Sequence, residues 1–510
     1  MMLWKVLHSI CNMPAHGSRG IWPRDVTNYS RLNTLNNQFT AQKKIVRPSE
    51  DPVIAVRALK FRTTCSELEQ YLKKNIPDAQ NWMGVTEGSL DNIISRLGEI
   101  RTQCTYGATD SLSVTDRQSI LSMIEGFKNT LVAEGSTNVA GRHVFTGYKT
   151  DSDLVFNEGT QKKYEITEHF SADDFEVKEV VIGSIDPDKI DTYLTEDEIA
   201  SPASQDIYRI RLAYNNTDGG TPVIKVPQVD ADGNVVKDAE GNIVMEDITE
   251  TINVVNDSDP TTDEKYGNIG PNEIRYITET GELIFGKEVY EQYKTTENID
   301  ITYNKTNFKK DDLRPEHYFD CTSEGVNYIS QNQEISYNIN FNQKIVVNTQ
   351  AKDVIKHDYI RDIEDLANAI DDLSIAEANK AKIEDMMNDP LYSGEAAQAQ
   401  LKQMLDANSV EIAQKEQIVQ DLFGHLEGTF DAYESHVTAA RSDLGARMSR
   451  LQLTEARTTE QLASYEELKS KNEDVDLEEV TVKYTSAKLV YEASLMATSK
   501  VIQQTLLDYL

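Results

Sequence analysis

The chain has 510 residues, 85 acidic against 51 basic, for a formal net charge of −34. That excess repels nucleic-acid phosphate and anionic membranes, both of which call for a basic face. The length exceeds one ordinary core, so two or more domains are expected. Mean hydropathy is −0.51, and no run of eighteen apolar residues offers a membrane-spanning helix.

The first twenty residues, MMLWKVLHSICNMPAHGSRG, loosely imitate a secretory signal. Lys5 and His8 break its apolar part and Ala15-His16-Gly17 makes a poor cleavage site, so a cleaved signal is not expected. From about Asn28 to Gly141 the pattern is helical. Tyr29, Leu32, Leu35 and Phe39 hold a seam on a short first helix. Next comes QKKIVRPSEDPVIAVRALKF (42–61), a basic turn bracketed by Pro48 and Pro52 and followed by an apolar run. Asp51 is expected to cap a helix whose first residue is Pro52, where the missing N–H costs nothing. Glu50 and Asp51 would also complement its positive end. Ile76, Ala79, Met83, Thr86, Leu90, Ile93, Leu97, Ile100 and Cys104 then alternate in steps of three and four. They form one stripe on a helix about 43 Å long at about 1.5 Å per residue. Each apolar side chain left wet there forgoes roughly 1.5–3 kcal/mol, so a long partner is required.

From about Gly147 to Asn348 the reading is strands and turns. YRIRLAY (208–214), VIKVPQV (223–229), IRYITETGELIFG (274–286) and ISYNINFNQKIVVNT (335–349) alternate or run β-branched. Thr280-Gly281, Asp232-Gly233-Asn234 and Glu240-Gly241-Asn242 signal turns, and at least two antiparallel hairpins are expected. From about Asp353 to Leu510 the pattern is helical again, interrupted at MMNDPLYSGEAAQ (386–398). Phe423, Phe430, Val437, Leu444 and Leu451 recur every seven residues, with Leu426, Tyr433 and Ala440 between them and Arg447 as an interruption. Two complementary seams so far apart suggest an antiparallel pair whose connection has grown into a domain. Asp476 with Glu479 suggests a capping box. Val482, Leu489 and Met496 then recur every seven residues, and Val501, Ile502, Leu506, Leu507 and Leu510 crowd the end. That last stripe is expected to take a neighbouring molecule.

Catalytic constellations are missing from the sequence. There is no HExxH, GxxxxGK[ST] or GxSxG. Asp230, Asp232 and Asn234 imitate a calcium loop, but Val235 stands where its glycine belongs and Gly241 where its bidentate glutamate belongs. His317 with Cys321 lacks a second ligand pair, and His143 lacks a nucleophile. Cys11, Cys65, Cys104 and Cys321 have no metal-ligand spacing, and Cys104 sits on the apolar stripe. No catalytic residue, cofactor or metal is expected.

The motifs carry a resemblance. KKIVRPSEDPVIAVRAL (43–59) resembles the Gly-Lys-Arg-Ile-x-x-Pro-Ser-Asp-Asp-Pro segment of the flagellin superfamily of bacterial axial proteins, with Gln42 in place of the glycine. AGRHVFTGYKTDS (140–152) and YEASLMATSKVIQQTLLDYL (491–510) are similar to that superfamily's hook-associated junction branch rather than to flagellin proper. The resemblance covers about 28–160 and 335–510.

It implies an α+β fold: a long antiparallel helical coiled-coil rod built from both chain ends, with an inserted β-rich domain. The expected division is an atypical segment 1–27 (a start-site artefact or an extension), rod halves 28–146 and 349–475, insert 147–348, and inner-core helix 476–510. The resemblance further implies a non-enzymatic structural subunit at the hook–filament junction, outside the cell. Export would run through the flagellar type III apparatus without a cleaved signal, helped by a dedicated chaperone. Partners would be copies of itself in a ring, the other junction protein and flagellin. Flagellin itself is the alternative, and less so a secreted adhesin or an enzyme with its site in the insert. Expected assembly contacts are Lys43, Lys44, Arg47, Pro48, Ser49, Asp51 and Pro52, the basic turn of one molecule meeting an acidic face of the next. Leu489, Met496, Leu506, Leu507 and Leu510 are the expected apolar contacts.

Overall fold

Helix α1 (Trp22–Ala41) begins seven residues before the Tyr29 start expected from the seam. Pro23 in its first turn costs no hydrogen bond there. Helix α2 (Pro52–Gln70) passes through a π turn at Tyr71–Asn75 into α3 (Ile76–Gly107). Pro77 accounts for the π turn: it has no N–H for the preceding turn, and the widened turn takes up the misfit. Helix α4 (Val114–Glu134) follows, with a capping box between Ser113 and Asp116. The computed structural model describes residues 22–190, 199, 201–228, 235–238, 241–249, 252–255 and 261–507, and only the backbone at 22–25 and 500–507. The signal-like segment, Cys11, and Asp230, Asp232 and Asn234 with their turn lie outside the described residues, as does Glu240.

After a small ribbon, β1 (Asn138–Val139) and β2 (Arg142–His143), come β3 (Thr160–Phe170), β4 (Glu176–Ile182), β5 (Ala203–Arg211), β6 (Val223–Pro227), β7 (Met245–Asp247) and β8 (Ile252–Val255). Helix α5 (Thr262–Tyr266), β9 (Ile274–Ile277), β10 (Glu282–Phe285), α6 (Lys287–Tyr293) and β11 (Ile299–Phe308) follow. The hairpins β12 (Asp320–Ser323)/β13 (Val326–Tyr328) and β14 (Ser336–Asn340)/β15 (Gln343–Val346) complete the strands. Helices α7 (His357–Asn388), α8 (Glu395–Glu473) and α9 (Leu477–Leu507) close the chain. Pro390 starts the 3-10 turn that divides α7 from α8, as the sequence suggested.

Two compact units divide these elements: one takes the chain up to Pro77, 338–344 and the chain from Leu451, the other 78–337 with 345–450. In the second unit α3 and α8 pair antiparallel. All of the stripe from Ala79 to Cys104 is buried, and so are Phe423, Phe430, Val437 and Leu444. The register is fixed by contacts that rise on one helix as they fall on the other. Gly107 lies so close to the Phe423 ring that a Cβ would stand 2.3 Å from it. Arg101 pairs with Asp431, and with Glu434 at 3.5 Å; Arg441 pairs with Asp91 at 2.5 Å. The interruption at Arg447 has a use, since its guanidinium donates to Val346 O and Asn348 O at 3.3 and 3.0 Å.

The insert builds a five-stranded sheet, β4-β5-β10-β9-β8, and a six-stranded sheet, β13-β12-β3-β11-β6-β7. Every pairing is antiparallel except β8 with β9. Tyr164 and Ile166 of β3, Ile301 and Tyr303 of β11, Ile210 of β5 and Tyr276 of β9 share one core. The β9–β10 turn needs Gly281, whose φ is +64° and whose Cβ would meet Tyr214 O at 2.1 Å.

Alternation places Arg209 and Arg211 on the other face of β5, against α7. Arg209 donates to Glu176 at 2.8 Å and to Asp365 at 2.6 Å, and pairs with Glu282. Arg211 reaches Asp365 at 2.8 Å and Asp362 at 2.7 Å. Tyr266 and Tyr433 donate to Glu282 and Asp362 at 2.5 and 2.8 Å. Burial opposes ionisation of Glu282, but Lys178 and Arg209 hold its carboxyl down to about 2.

Glu168 is a buried carboxylate of the opposite kind. It accepts from Ala213 N at 3.0 Å and from the Tyr303 hydroxyl at 2.5 Å, and burial pushes it up to about 7 despite those donors. Its folded pKa lies above the unfolded value, so the folded state favours the proton. Stability is fully present below about 4.5 and is lost as pH rises to about 7, by at most about 3 kcal/mol. Glu168→Gln should flatten that slope, with denaturant midpoints at pH 5 and pH 8 drawing together. An unchanged slope would count against the assignment.

Candidate assembly surfaces

In the first unit α1 and α9 also pair antiparallel. Tyr29 meets Tyr491 with centroids 5.8 Å apart, and Phe39 stacks on Tyr484 at 6.0 Å. The face of α9 turned to α1 carries buried Val480 and Ala487 and half-buried Tyr484, Tyr491, Ser494 and Thr498, in steps of three and four. That is not the stripe singled out by the seven-residue spacing. Val482, Leu489 and Met496 are 70%, 62% and 68% exposed, so no part of the described chain covers them. A second uncovered row runs along α2: Val53, Val56 and Leu59, three apart and 60–68% exposed. The sequence reading saw these only as part of an apolar run. The side chains of Leu506 and Leu507, and Leu510 altogether, lie outside the described residues.

The basic turn has a definite geometry. Asp51 caps α2 as expected, accepting from Val53 N and Ile54 N at 2.9 and 3.1 Å, with Pro52 in first position. Glu50 instead closes the turn, accepting from Val46 N at 2.9 Å. Gln42 is left-handed, with φ +55°. A Cβ there costs roughly 1–2 kcal/mol, which explains why the resembled segment has glycine at this place.

The cations divide. Lys43 pairs with Asp474, and with Glu473 at 3.6 Å; Lys44 Nζ donates to Lys471 O. Arg62, which sequence reading passed over, grips Glu473 with Nε at 2.7 Å and Nη2 at 2.5 Å. Hydrogen bonding to these partners raises Lys43 and Arg62 and lowers Glu473 and Asp474 from their ordinary values. Arg47, with Pro48 and Ser49, is exposed, and Arg47 has no ion pair among the described residues. Asp476 caps α9 through Glu478 N and Glu479 N at 3.0 and 3.1 Å, while Glu479 turns to Lys483.

The other singled-out residues take part in packing. His143 sits between Ser136 O and the Asp153 carboxylate at 2.9 and 3.0 Å. His317 meets Asp153 O at 3.2 Å, and burial pushes it down to about 4. Burial lifts the Cys104 and Cys321 thiols to about 12, far from the reactive thiolate range. Among the described residues no His, Cys, Asp and Glu group is placed to hold a metal, and no helix is long and apolar enough to cross a membrane.

Residues 26–150 match the bacterial flagellin N-terminal helical region, and residues 428–510 the bacterial flagellin C-terminal helical region. The flagellar hook-associated protein 3 of Escherichia coli (strain K12) is 26% identical over 181 residues, 35% of this chain and 56% of that protein. Its Salmonella typhimurium namesake is 26% identical over 119 residues, 23% and 37% of the two chains. The chain thus spans about half, or less, of the length of these curated relatives. The solved flagellar hook associated protein-3 of Legionella pneumophila aligns with 81% of this chain and 97% of its own, at 12% identity and a TM-score of 0.30. Two separate segments of the chain, 26–150 and 428–510, are thus similar to the two helical regions of bacterial flagellin.

Proposed function

We propose that this chain is a structural subunit of the bacterial flagellum at the hook–filament junction, joining the other junction protein to flagellin. The observation that carries the reading is the pair of apolar rows on flagellin-type helices, Val53-Val56-Leu59 and Val482-Leu489-Met496, that nothing in the described chain covers. Exposed rows of this kind mark surfaces for other protein. The names of the curated relatives favour the junction over the filament. Arg47, unpaired where Lys43 and Lys44 are engaged within the chain, is the cation best placed to meet an acidic neighbour. Copies of the chain would form a ring, delivered through the flagellar export apparatus with a chaperone and without a cleaved signal. The role is mechanical, with no catalytic step.

Gold labelling of intact flagella tests this. A single labelled band between hook and filament is expected, and a deletion strain should carry bare hooks and shed unassembled flagellin. Label along the whole filament would transfer the chain to the flagellin reading.

A further inference from the structure

In the first unit the chain leaves helical structure at 42–51, between α1 and α2, and at 474–476, between α8 and α9. The two breaks lie against each other. Lys43 and Asp474 form an antiparallel bridge, Lys44 N donates to Glu473 O at 2.7 Å, and Val475 N to Gln42 O at 3.2 Å. Around this short ladder, Arg62 holds both oxygens of Glu473, whose side chain is only 5% exposed, and Lys43 lies on Glu473 and Asp474.

We propose that this ladder and its ion pairs are a latch that locks the terminal pair α1–α9 in register with α2 and the end of α8. The reasoning is mechanical. Covalently, the terminal pair hangs from two non-helical straps, one of ten residues and one of three. A helix transmits rigidity through its backbone ladder, and both straps lack one. Stiffness across the joint must therefore come from contacts between the straps. The bidentate Arg62–Glu473 pair is the strongest available, because two parallel charge-assisted bonds fix orientation as well as distance. Only its Glu473 side is buried, at 5% exposure against 60% for Arg62, so salt should weaken the pair in part. Lys43 thus has a task within the chain, separate from the contacts proposed for assembly. The same geometry makes the joint a defined pivot when the latch is open.

Amide hydrogen exchange on the full chain tests the latch. Glu473→Gln keeps the size of the side chain and removes its charge. Exchange across 28–41 and 480–498 should accelerate about tenfold or more, while 83–104 stays unchanged. Arg62→Gln should do the same, and the double variant should add nothing to either alone. Asp474→Asn, at an exposed position, should give a smaller acceleration in the same segments. Unchanged exchange in Glu473→Gln, additive effects in the double variant, or ends that already exchange at free-peptide rates in the parent chain would each overturn the latch.

Discussion

A chain carrying Leu489→Glu and Met496→Glu is expected to fold as its parent does and to fail to assemble. Both side chains stand more than 60% exposed on the face of α9 turned away from α1. Glutamate is nearly as good a helix former as leucine or methionine, so melting should move by no more than about 0.5 kcal/mol. In an assembly that covers this row, each lost apolar side chain forfeits roughly 1.5–3 kcal/mol, and each unpaired buried charge costs several more. In the proposed ring the loss would repeat in every copy. Sedimentation should find only monomer at concentrations where the parent associates, and the variant gene should not restore motility. Wild-type assembly by the double variant would remove the reading of α9 as an assembly face. Arg47→Glu acts in the same direction but weakly. One exposed charge contributes at most about 1 kcal/mol, so association should slow at low salt and recover at high salt.

How much of this was legible in the sequence depends on how local each signal was. The stripe from Ile76 to Cys104 could be read because a three–four repeat on one helix needs no knowledge of its partner, and every member is buried. The cap at Asp51 was equally local. On α9 the sequence holds two rows at helical spacing, one through Val480, Tyr484, Ala487 and Tyr491, the other through Val482, Leu489 and Met496. The spacing could not say which meets α1 and which stays bare; only the partner decides. In the insert, β3 was missed because the exposed residues of TQKKYEITEHF are polar or charged, and they mask Tyr164 and Ile166 on the buried face. The cations at 43–44 drew attention as free charges, whereas Glu473 and Asp474, more than 400 residues away, engage Lys43, and Lys44 donates to the carbonyl of Lys471. Non-local pairing of charges leaves no periodic trace.

The same blindness concealed the ionic cluster beneath β5, and there the largest destabilisation is expected. In YRIRLAY the arginines fall on the alternate positions, where a sheet commonly faces water. Here α7 covers that face and supplies Asp362 and Asp365 three residues apart, so Arg209 and Arg211 are almost entirely buried. Arg209→Met keeps length and packing but removes the charge between Glu282 and Asp365, whose side chains are 1% and 10% exposed. Breaking one side of a buried pair costs about 3–5 kcal/mol, because the remaining charges lose their partner without regaining water. Denaturant unfolding followed in the second unit should shift accordingly, while exchange in α2 of the first unit stays unchanged. With Arg209 gone, Asp365 and Glu282 lose one of the cations that held them ionised, keeping Lys178 and, for Asp365, Arg211. Acid should then restore stability relative to the parent as pH falls below about 5 and they take up protons. Adding Asp365→Leu and Glu282→Gln to Arg209→Met should recover much of the loss at neutral pH, since the uncompensated charges are then gone. If the single substitution were silent, or the triple no better than the single, the cluster would be ornament on an apolar interface. If both shifts appear, charge pairing is what fastens the five-stranded sheet to α7.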